Sequence, residues 1–255
     1  FASDRDGKWD LYVIPVDFDG NIRRLTDDPR GNLALAWSPD GTKLAFSSEL
    51  DGDLNFYVMG IEGGSLQRLL DDPGWAWHSL WSPGGNQIAF YSHSDDGYWD
   101  LNIFVMDADG GYIRRLTDDP QGDTFPTWSP DQTQIAFASG RSGDWDIYVM
   151  DADGSNVQRL TDEPGRDFQP AWSPDGTKLA FHSGSTFTGN SDIYVMDADG
   201  DNLQKLTVDA GRNRSPVWSP DGIRIAFTSD RDGDWNIYVM DAGGGGVERV
   251  TDDSG

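Results

Sequence analysis

Short apolar runs separated by polar turns recur along the whole chain. From residue 168 the runs "FQPAW", "TKLAFHS", "DIYVMD" and "NLQKLT" follow one another, bounded by Gly, Pro, Asp or Ser. Such runs, rich in β-branched and aromatic side chains, are typical of strands. No window shows the i, i+3, i+4, i+7 apolar spacing of a long amphipathic helix. The pattern therefore predicts an all-β chain of short strands joined by tight turns.

The strand pattern repeats along the chain. The string "WSPDGTKLAF" begins at Trp37 and returns unchanged at Trp172, and looser copies begin at Trp81, Trp128 and Trp218. The successive spacings are 44, 47, 44 and 46 residues. Self-similarity at a fixed period indicates a repeat architecture, with one supersecondary unit in each repeat. Each repeat here contains four predicted strands in an antiparallel order.

The apolar runs also predict how the repeats pack. "IYVM" and "LAF" are continuously apolar, whereas a sheet with one face in water would alternate. Each sheet must therefore be covered on both faces. Radial stacking of four-stranded sheets satisfies this requirement, which predicts a β-propeller. The tryptophan that opens each "WSP" string is expected to pack between adjacent blades.

The number of blades follows from counting motifs. The third- and fourth-strand motifs occur six times, and the first- and second-strand motifs five times. The preferred interpretation is one propeller domain over residues 1–255, of the six-bladed type, with an outer hairpin over 1–30. Its five complete blades cover 31–74, 75–121, 122–165, 166–211 and 212–255. The alternative is a closed five-bladed ring, in which residues 11–26 pair with the last blade and residues 236–255 are displaced.

Basic residues concentrate on the fourth strand, in strings such as "NIRRLT" and "NVQRLT". Charged side chains on an edge strand prevent pairing with another molecule, so this strand is expected to form the rim. The first strand, which carries the tryptophan, is then expected to lie nearest the propeller axis.

The formal net charge of −25 narrows the possible partners. Nucleic-acid affinity depends on Lys and Arg, so a nucleic-acid partner is not expected. No run of about 18 apolar residues is present, so membrane insertion is not expected either. The absence of cysteine excludes disulfides and thiolate chemistry. The composition leaves the oligomeric state open.

Two groups of aromatic residues are candidates for binding. Exposed tryptophans are common in binding hot spots, and nothing in a loop requires a large ring. The loop after the second strand carries Trp9, Trp99, Trp145 and Trp235 in four repeats. The segment before Trp81 adds Trp75, Trp77 and His78, and His78 shares its repeat position with Ala34, Phe125, Gln169 and Ser215. This position is expected at the mouth of the channel. The alternative is that each loop indole folds over its own blade.

Alternating aspartates in the same loops are candidates for calcium binding. Ca²⁺ takes six to eight oxygen ligands, which clustered carboxylates can supply. The candidates are Asp4, Asp6, Asp144, Asp146, Asp230, Asp232 and Asp234. The alternative is an ordinary Asp-Gly turn in a solvated loop. No other cofactor is expected. No G-x-S-x-G string occurs, and no catalytic residue is assigned, so the chain is not expected to be an enzyme.

The strings "WSPDG…IAF", "DIYVMDADG" and "RLTDDP" resemble the WD40-like PD40 repeats of TolB-type β-propellers over essentially the whole chain. This resemblance implies a protein outside the cytoplasm, periplasmic or extracellular, that binds a protein or peptide or serves as a scaffold. Fold alone does not determine function. Two alternatives therefore stay open. One is a propeller enzyme or the substrate-gating propeller of a larger hydrolase or lyase, and the other is a subunit of an extracellular assembly.

Overall fold

The computed structural model describes residues 2–3, 10–13, 22–26, 32–48, 55–62, 66–69, 77–93, 100–184, 189–208 and 211–251. The chain divides into two compact units, Phe1–Asp118 and Asp119–Gly255. The fold class is that predicted from the sequence, an all-β propeller built of four-stranded antiparallel blades. None of the described residues forms a helix long and apolar enough to cross a lipid bilayer.

The first unit contains a three-stranded sheet and two blades. The sheet consists of β1 (Ala2–Ser3), β2 (Asp10–Val13) and β3 (Arg23–Arg24). The first blade consists of β4 (Asn32–Trp37), β5 (Lys43–Ser48), β6 (Asn55–Gly60) and β7 (Gln67–Arg68). The second blade consists of β8 (Trp77–Trp81), β9 (Gln87–His93), β10 (Leu101–Asp107) and β11 (Arg114–Arg115).

The second unit contains three blades. The third blade consists of β12 (Asp123–Trp128), β13 (Gln134–Ser139), β14 (Asp146–Asp151) and β15 (Gln158–Arg159). The fourth consists of β16 (Arg166–Trp172), β17 (Lys178–Gly184), β18 (Ser191–Asp197) and β19 (Gln204–Lys205). The fifth consists of β20 (Asn213–Trp218), β21 (Arg224–Ser229), β22 (Asn236–Asp241) and β23 (Glu248–Arg249).

The described residues form five four-stranded blades, the number of the five-bladed alternative and not of the preferred six-bladed interpretation. The hairpin predicted over 1–30 gains a third strand, because Ala2 and Ser3 pair with Leu11 and Asp10. A two-stranded hairpin alone is marginally stable, and the added strand satisfies more of its backbone. The displacement of residues 236–255 is not found, since β22 pairs with both β21 and β23.

In four of the five blades, the turn between the first and second strands is held by one aspartate, and in the second blade Asn86 accepts from the Ser82 hydroxyl instead. In the first blade, the Ser38 hydroxyl donates to Asp40 Oδ1 at 2.6 Å, and the Thr42 amide donates to the same oxygen at 3.0 Å. Gly41 takes the left-handed φ of +68° that the turn requires. The hydrogen bond from Ser38 is the main reason that the pKa of Asp40 falls to about 2. The "SPDG" string thus forms the turn expected from it.

Adjacent blades within a unit pack through apolar faces. Ala136, Ile147 and Val149 of the third blade are buried in one cluster with Leu179 and Phe181 of the fourth. A second cluster joins the fourth blade to the fifth, through the residues Ala180, Ile193, Val195, Leu206, Ile225, Phe227, Tyr238 and Met240. These residues come from the continuous apolar runs. For the fourth blade, which packs against both the third and the fifth, the prediction that both faces of a sheet are covered is confirmed. For the fifth blade it is wrong, because burial alternates along β22 and Ile237 is 42% exposed.

The first strands of consecutive blades are joined by a recurring hydrogen bond. The indole N–H of Trp172 donates to the Thr127 carbonyl at 3.3 Å, and that of Trp218 donates to the Ala171 carbonyl at 3.1 Å. Trp81 makes the same bond to Ala36 in the first unit, at 3.3 Å. In each pair the acceptor is the residue just before the tryptophan of the preceding blade.

Two tryptophans of the described first strands lack this bond. The indole N–H of Trp128 is buried and has no hydrogen-bond partner within the described residues. Trp37 lacks the burial as well. It is 43% exposed, so the prediction of a core role is wrong for the first blade. The preceding sheet β1–β3 supplies no first strand among the described residues, and the carbonyl that accepts from the other tryptophans belongs to a first strand. Its indole therefore has neither the apolar cover nor the acceptor.

The fourth strands form exposed edges, as predicted. Each is only two residues long, and both residues of each strand are exposed. The basic side chains reach across the blade to the start of the third strand, where Arg159 Nη2 lies 2.8 Å from Asp146 Oδ2 and Lys205 Nζ lies 2.6 Å from Asp192 Oδ2. The charge that protects the edge also ties the outer strand to its neighbour.

Replacing Trp172 by phenylalanine should destabilise the protein, because the interblade hydrogen bond and part of the buried ring are lost. We expect Trp172→Phe to lower the free energy of unfolding by about 1–2 kcal/mol. The matched control, Trp37→Phe, should change it by less than about 0.5 kcal/mol. Urea denaturation followed by circular dichroism measures both. Equal losses in the two variants would contradict the proposed role of the bond.

Candidate functional site

Each first strand is interrupted by a β-bulge just before its tryptophan. In the second unit the register shifts between Thr124 and Thr127, and again between Phe168 and Ala171. The fifth blade has the same shift, between Arg214 and Val217. A bulge adds one unpaired residue, bends the strand and redirects a side chain. In these three blades a proline stands two residues before the tryptophan, and it suits this place because the bulge removes a ladder position where an N–H would be needed.

The bulge places one residue in a left-handed conformation in each of these blades. Phe125, Gln169 and Ser215 have φ values of 53°, 54° and 53°, and we call these three residues the bulge row. A left-handed conformation costs a residue with a side chain about 1–2 kcal/mol. The left-handed backbone conformation therefore recurs at this position in all three blades, although the side chain differs in each. Strain kept at one place with varying side chains is typical of a functional surface.

Members of the bulge row contact one another and their surroundings. The Ser215 hydroxyl donates to Gln169 Oε1 at 2.8 Å, which joins the fourth blade to the fifth. The Phe125 ring meets the Phe168 ring edge to face, with centroids 6.1 Å apart. Gln169 and Ser215 are both half-buried. The row therefore offers an aromatic ring, an amide and a hydroxyl, groups that make apolar contacts and hydrogen bonds.

The loop tryptophans of the second unit are placed differently from each other. Trp145 is partly buried, and its ring lies 5.0 Å from Phe168 of the next blade. The Trp145 carbonyl also accepts a hydrogen bond from the Asp167 amide at 2.8 Å. Trp235 is 42% exposed and lies against its own blade. Trp145 thus takes part in blade packing, whereas Trp235 offers part of its indole to solvent.

Two arginines lie over the Trp235 indole. The guanidinium carbons of Arg212 and Arg214 are 5.0 Å and 5.5 Å from its centroid, within range of a cation–π interaction. Arg212 is balanced by Asp230, with Nε and Oδ2 2.6 Å apart. His182, on the neighbouring blade, is 8% exposed. Burial, and then the positive charge of Arg214, lower the pKa of His182 to about 4, so the imidazole is neutral at neutral pH.

A buried polar residue lies at the first or second position of the first strand in each of these blades, and its partners differ. In the third blade Asp123 is paired with Arg141 Nη2 at 3.0 Å, and in the fifth Asn213 Oδ1 accepts from Arg231 Nη2 at 3.0 Å. In the fourth blade the sequence has Ser185 where those arginines stand. Asp167 is 2% exposed, and desolvation raises its pKa to about 6, partly opposed by hydrogen bonds from Ser183 and Thr161.

Several residues predicted to bind lie outside the described residues: Trp9, Trp75, Trp99, Asp4 and Asp6. Trp77 lies in strand β8. His78 has the left-handed φ of 48° that marks its repeat position, and its ring stacks on Tyr91 with centroids 6.4 Å apart. Although the side chain is exposed, surrounding protein desolvates it and lowers its pKa. The binding roles predicted for these residues stay predictions.

Four of the five described calcium candidates contact other side chains of the protein. Asp146 pairs with Arg159 and accepts from the Ser142 hydroxyl, while Asp144 lies 3.9 Å from Arg166. Asp230 is held by Arg212, and Asp232 accepts from the Tyr238 hydroxyl at 2.5 Å. Asp234 is exposed. Within the part of the chain that the structure describes, no three His, Asp or Glu side chains are gathered as a metal site.

Sequence reasoning located the repeat position of His78 but missed its backbone. The signal was a variable residue three positions before the tryptophan, followed by proline in the last three repeats. It also missed Arg214, which stands in a position that is uncharged in the other four blades, and Asp167, whose expected arginine is replaced by Ser185. All three features emerge when the repeats are aligned and searched for exceptions.

Comparison with known proteins identifies relatives. The family model PD40, described as the TolB β-propeller domain, matches residues 71–169 and 160–255. A protein assigned as TolB from Agrobacterium tumefaciens is 29% identical with a TM-score of 0.75, over 90% of this chain and 83% of that one. TolB from Acinetobacter baumannii is 22% identical with a TM-score of 0.75, over 92% of this chain and 58% of that one.

An enzyme with the same fold is also similar. An oligogalacturonate lyase solved in complex with manganese is 17% identical with a TM-score of 0.79, over 100% of this chain and 73% of that one. At this identity the likeness concerns the fold alone. No curated protein sequence matches the chain.

The raised pKa of Asp167 predicts a pH-dependent stability. Because the folded-state pKa of about 6 lies above the unfolded value of 3.8, the folded protein holds this proton more tightly. The contribution of Asp167 to stability is therefore present below pH 3.8 and lost as pH rises to about 6. Asp167→Asn should remove this loss, and raise stability at pH 7.5 relative to pH 5 by about 1 kcal/mol compared with the parent.

The matched variant is Asp123→Asn at the same repeat position, where removal of the charge leaves Arg141 without its carboxylate. That variant should be destabilised at pH 7.5, opposite in sign to Asp167→Asn. Thermal unfolding between pH 5 and 7.5 gives both results. If Asp167→Asn and the parent protein show the same pH dependence, Asp167 does not carry the effect.

Proposed function

The chain belongs to the TolB β-propeller family, and on this premise we propose that it is a non-catalytic propeller that binds a protein or peptide outside the cytoplasm. The observation that carries the proposal is the bulge row. One strained backbone position is repeated in successive blades, and each blade presents a different side chain there. A fixed frame with exchangeable side chains suits recognition of an irregular partner surface.

The chemistry of the row supports binding rather than catalysis. Phenylalanine, glutamine and serine offer apolar contact and hydrogen bonds, whereas an enzyme needs a base, an acid and a group that stabilises charge around one point. The neighbouring His182 is neutral and almost fully buried. The chain spans 58% of the length of the Acinetobacter TolB, so binding activities of that whole protein are not transferred here.

The side chains of the row also lie on a rigid support. The bulge residue is flanked on one side by a ladder pair and on the other by the tryptophan whose indole N–H bonds to the preceding blade. Binding groups held by strands lose less conformational entropy when a partner is bound than groups on free loops. This support favours a pre-formed surface over a loop that folds on binding.

Removing the three side chains of the row should abolish binding without unfolding the protein. The variant is Phe125→Ala, Gln169→Ala and Ser215→Ala combined, and alanine is tolerated here because Ala34 holds the same repeat position in the first blade. We expect capture of the partner from the envelope fraction of the source organism to fall at least about tenfold. The melting temperature should stay within about 3 °C of the parent value.

The matched control combines Gln158→Ala, Gln204→Ala and Glu248→Ala, which are exposed residues on the outermost strands of the same three blades. This variant should capture the same partner as the parent. A photo-crosslinking residue at position 169 should label the partner directly, and one at position 204 should not. Equal capture by the row variant and the control would refute the proposal.

A further inference from the structure

A comparison of the five repeats singles out Arg214. It stands four residues before Trp218, and the same position holds Leu33, Trp77, Thr124 and Phe168 in the other blades. In the fourth blade the Phe168 ring packs against Trp145 at 5.0 Å. The position thus ordinarily takes an uncharged side chain, and the fifth blade alone places a cation there.

The guanidinium of Arg214 has no counter-charge within the described residues. Its Nε is enclosed and has no hydrogen-bond partner. The neighbouring Arg212 provides an internal comparison, because it lies over the same indole and Asp230 neutralises it at 2.6 Å. No described carboxylate lies within ion-pair distance of Arg214. A buried guanidinium nitrogen without a hydrogen bond is unfavourable, and an anion that joins the group offsets part of this cost.

The neighbouring groups leave the positive charge of Arg214 unbalanced. His182 is 8% exposed and its Nδ1 has no partner among the described residues. It is neutral at neutral pH, so it neither repels an anion nor balances Arg214. Asp230, an acidic side chain of the same blade, is already engaged by Arg212 through two contacts at 2.6 Å. A small positive site therefore exists in a chain whose net charge is −25.

We propose that Arg214 binds a carboxylate of the peptide segment that lies on the bulge row, and this inference rests on the function proposed above. Arg214 directly precedes Ser215 of the row in sequence. Its planar fork matches a carboxylate, and the exposed part of the Trp235 indole offers a flat surface beside it. The large negative net charge disfavours a polyanion, so a single acidic side chain or a chain terminus fits best.

The test uses a small probe and no partner protein. N-acetyl-glutamate N-methylamide is titrated into the protein, and its glutamine counterpart serves as the uncharged isostere. We expect saturable NMR shifts of the Arg214 Nε–H and Trp235 indole N–H signals with the glutamate probe. Binding should be at least about tenfold weaker for the glutamine probe, and it should weaken as salt is raised.

The decisive variant is Arg214→Phe, which introduces the residue that the fourth blade has at this position. It should weaken binding of the glutamate probe at least about tenfold and keep the melting temperature of the parent. Arg224→Phe is the matched control, because Arg224 is exposed at the start of the second strand of the same blade. The control should bind the probe as the parent does.

Three results would overturn the inference. The first is no saturable shift, or equal shifts with the glutamate and glutamine probes. The second is unchanged probe binding in Arg214→Phe together with a lowered melting temperature, which would make Arg214 a structural cation. The third is tighter binding of glucuronate than of the glutamate probe, which would assign the site to an acidic sugar.

Failure of the proposed function is recognised separately. If the alanine variant of the bulge row still captures the partner, the function is refuted whatever the probe does. If Arg214 binds the glutamate probe as expected, the carboxylate site stands on its own. If capture depends on the row but Arg214→Phe changes neither capture nor probe binding, only the carboxylate inference is refuted.

Discussion

The indole hydrogen bond from one first strand to the next is the interaction on which the second unit depends. It fixes the distance between adjacent blades at their first strands, because the tryptophan side chain must reach one particular carbonyl. The apolar contacts between the blades are non-directional and would allow one blade to slide against the next. A directional bond between consecutive first strands, from Trp172 to the third blade and from Trp218 to the fourth, removes that freedom. Everything that projects from the first strands, the bulge row included, inherits its position from this bond.

The bulge and the indole bond act on neighbouring residues of one strand. The bulge redirects one side chain at the cost of local strain, and the tryptophan three residues later holds the strand in place while the strain is kept. The same device occurs in the second blade, where His78 has a left-handed φ and Trp81 donates to Ala36. Within each of these repeats, the tryptophan thus packs the blade against its neighbour, and the bulge residue three positions earlier carries the redirected side chain.

Much of the fold could be predicted from the sequence, because the repeat reveals the strand pattern five times over. The turns and the buried faces followed from residue type and spacing, as Asp40 and Ile147 show. The preferred number of blades was wrong. The pairing of Ala2 and Ser3 with β2 was not predicted, because it runs through backbone groups that leave no side-chain signature. The exposure of Trp37 was missed for a similar reason, because it depends on which strands precede it in space and not on its own repeat.

The site was harder to predict than the fold. Its repeat position was identified, but a left-handed backbone at Gln169 cannot be deduced from residue type when glutamine normally avoids it. The roles of Arg214 and Asp167 arise from missing partners, and a missing partner becomes visible only when equivalent contacts in sister blades are known. The repeated motifs predict the features that the blades share, whereas Arg214 and Asp167 are features in which one blade differs from the others.

The left-handed bulge residue also affects how such a molecule can change over generations. Duplication of a blade copies the bend together with its supporting tryptophan, so every new copy brings a redirected side chain whose backbone is already formed. A single codon change there alters the side chain that is presented and leaves the hydrogen-bonded ladder intact, since the bulged residue lies outside the paired register. The surface formed by these side chains can therefore diverge one blade at a time while the architecture is inherited unchanged.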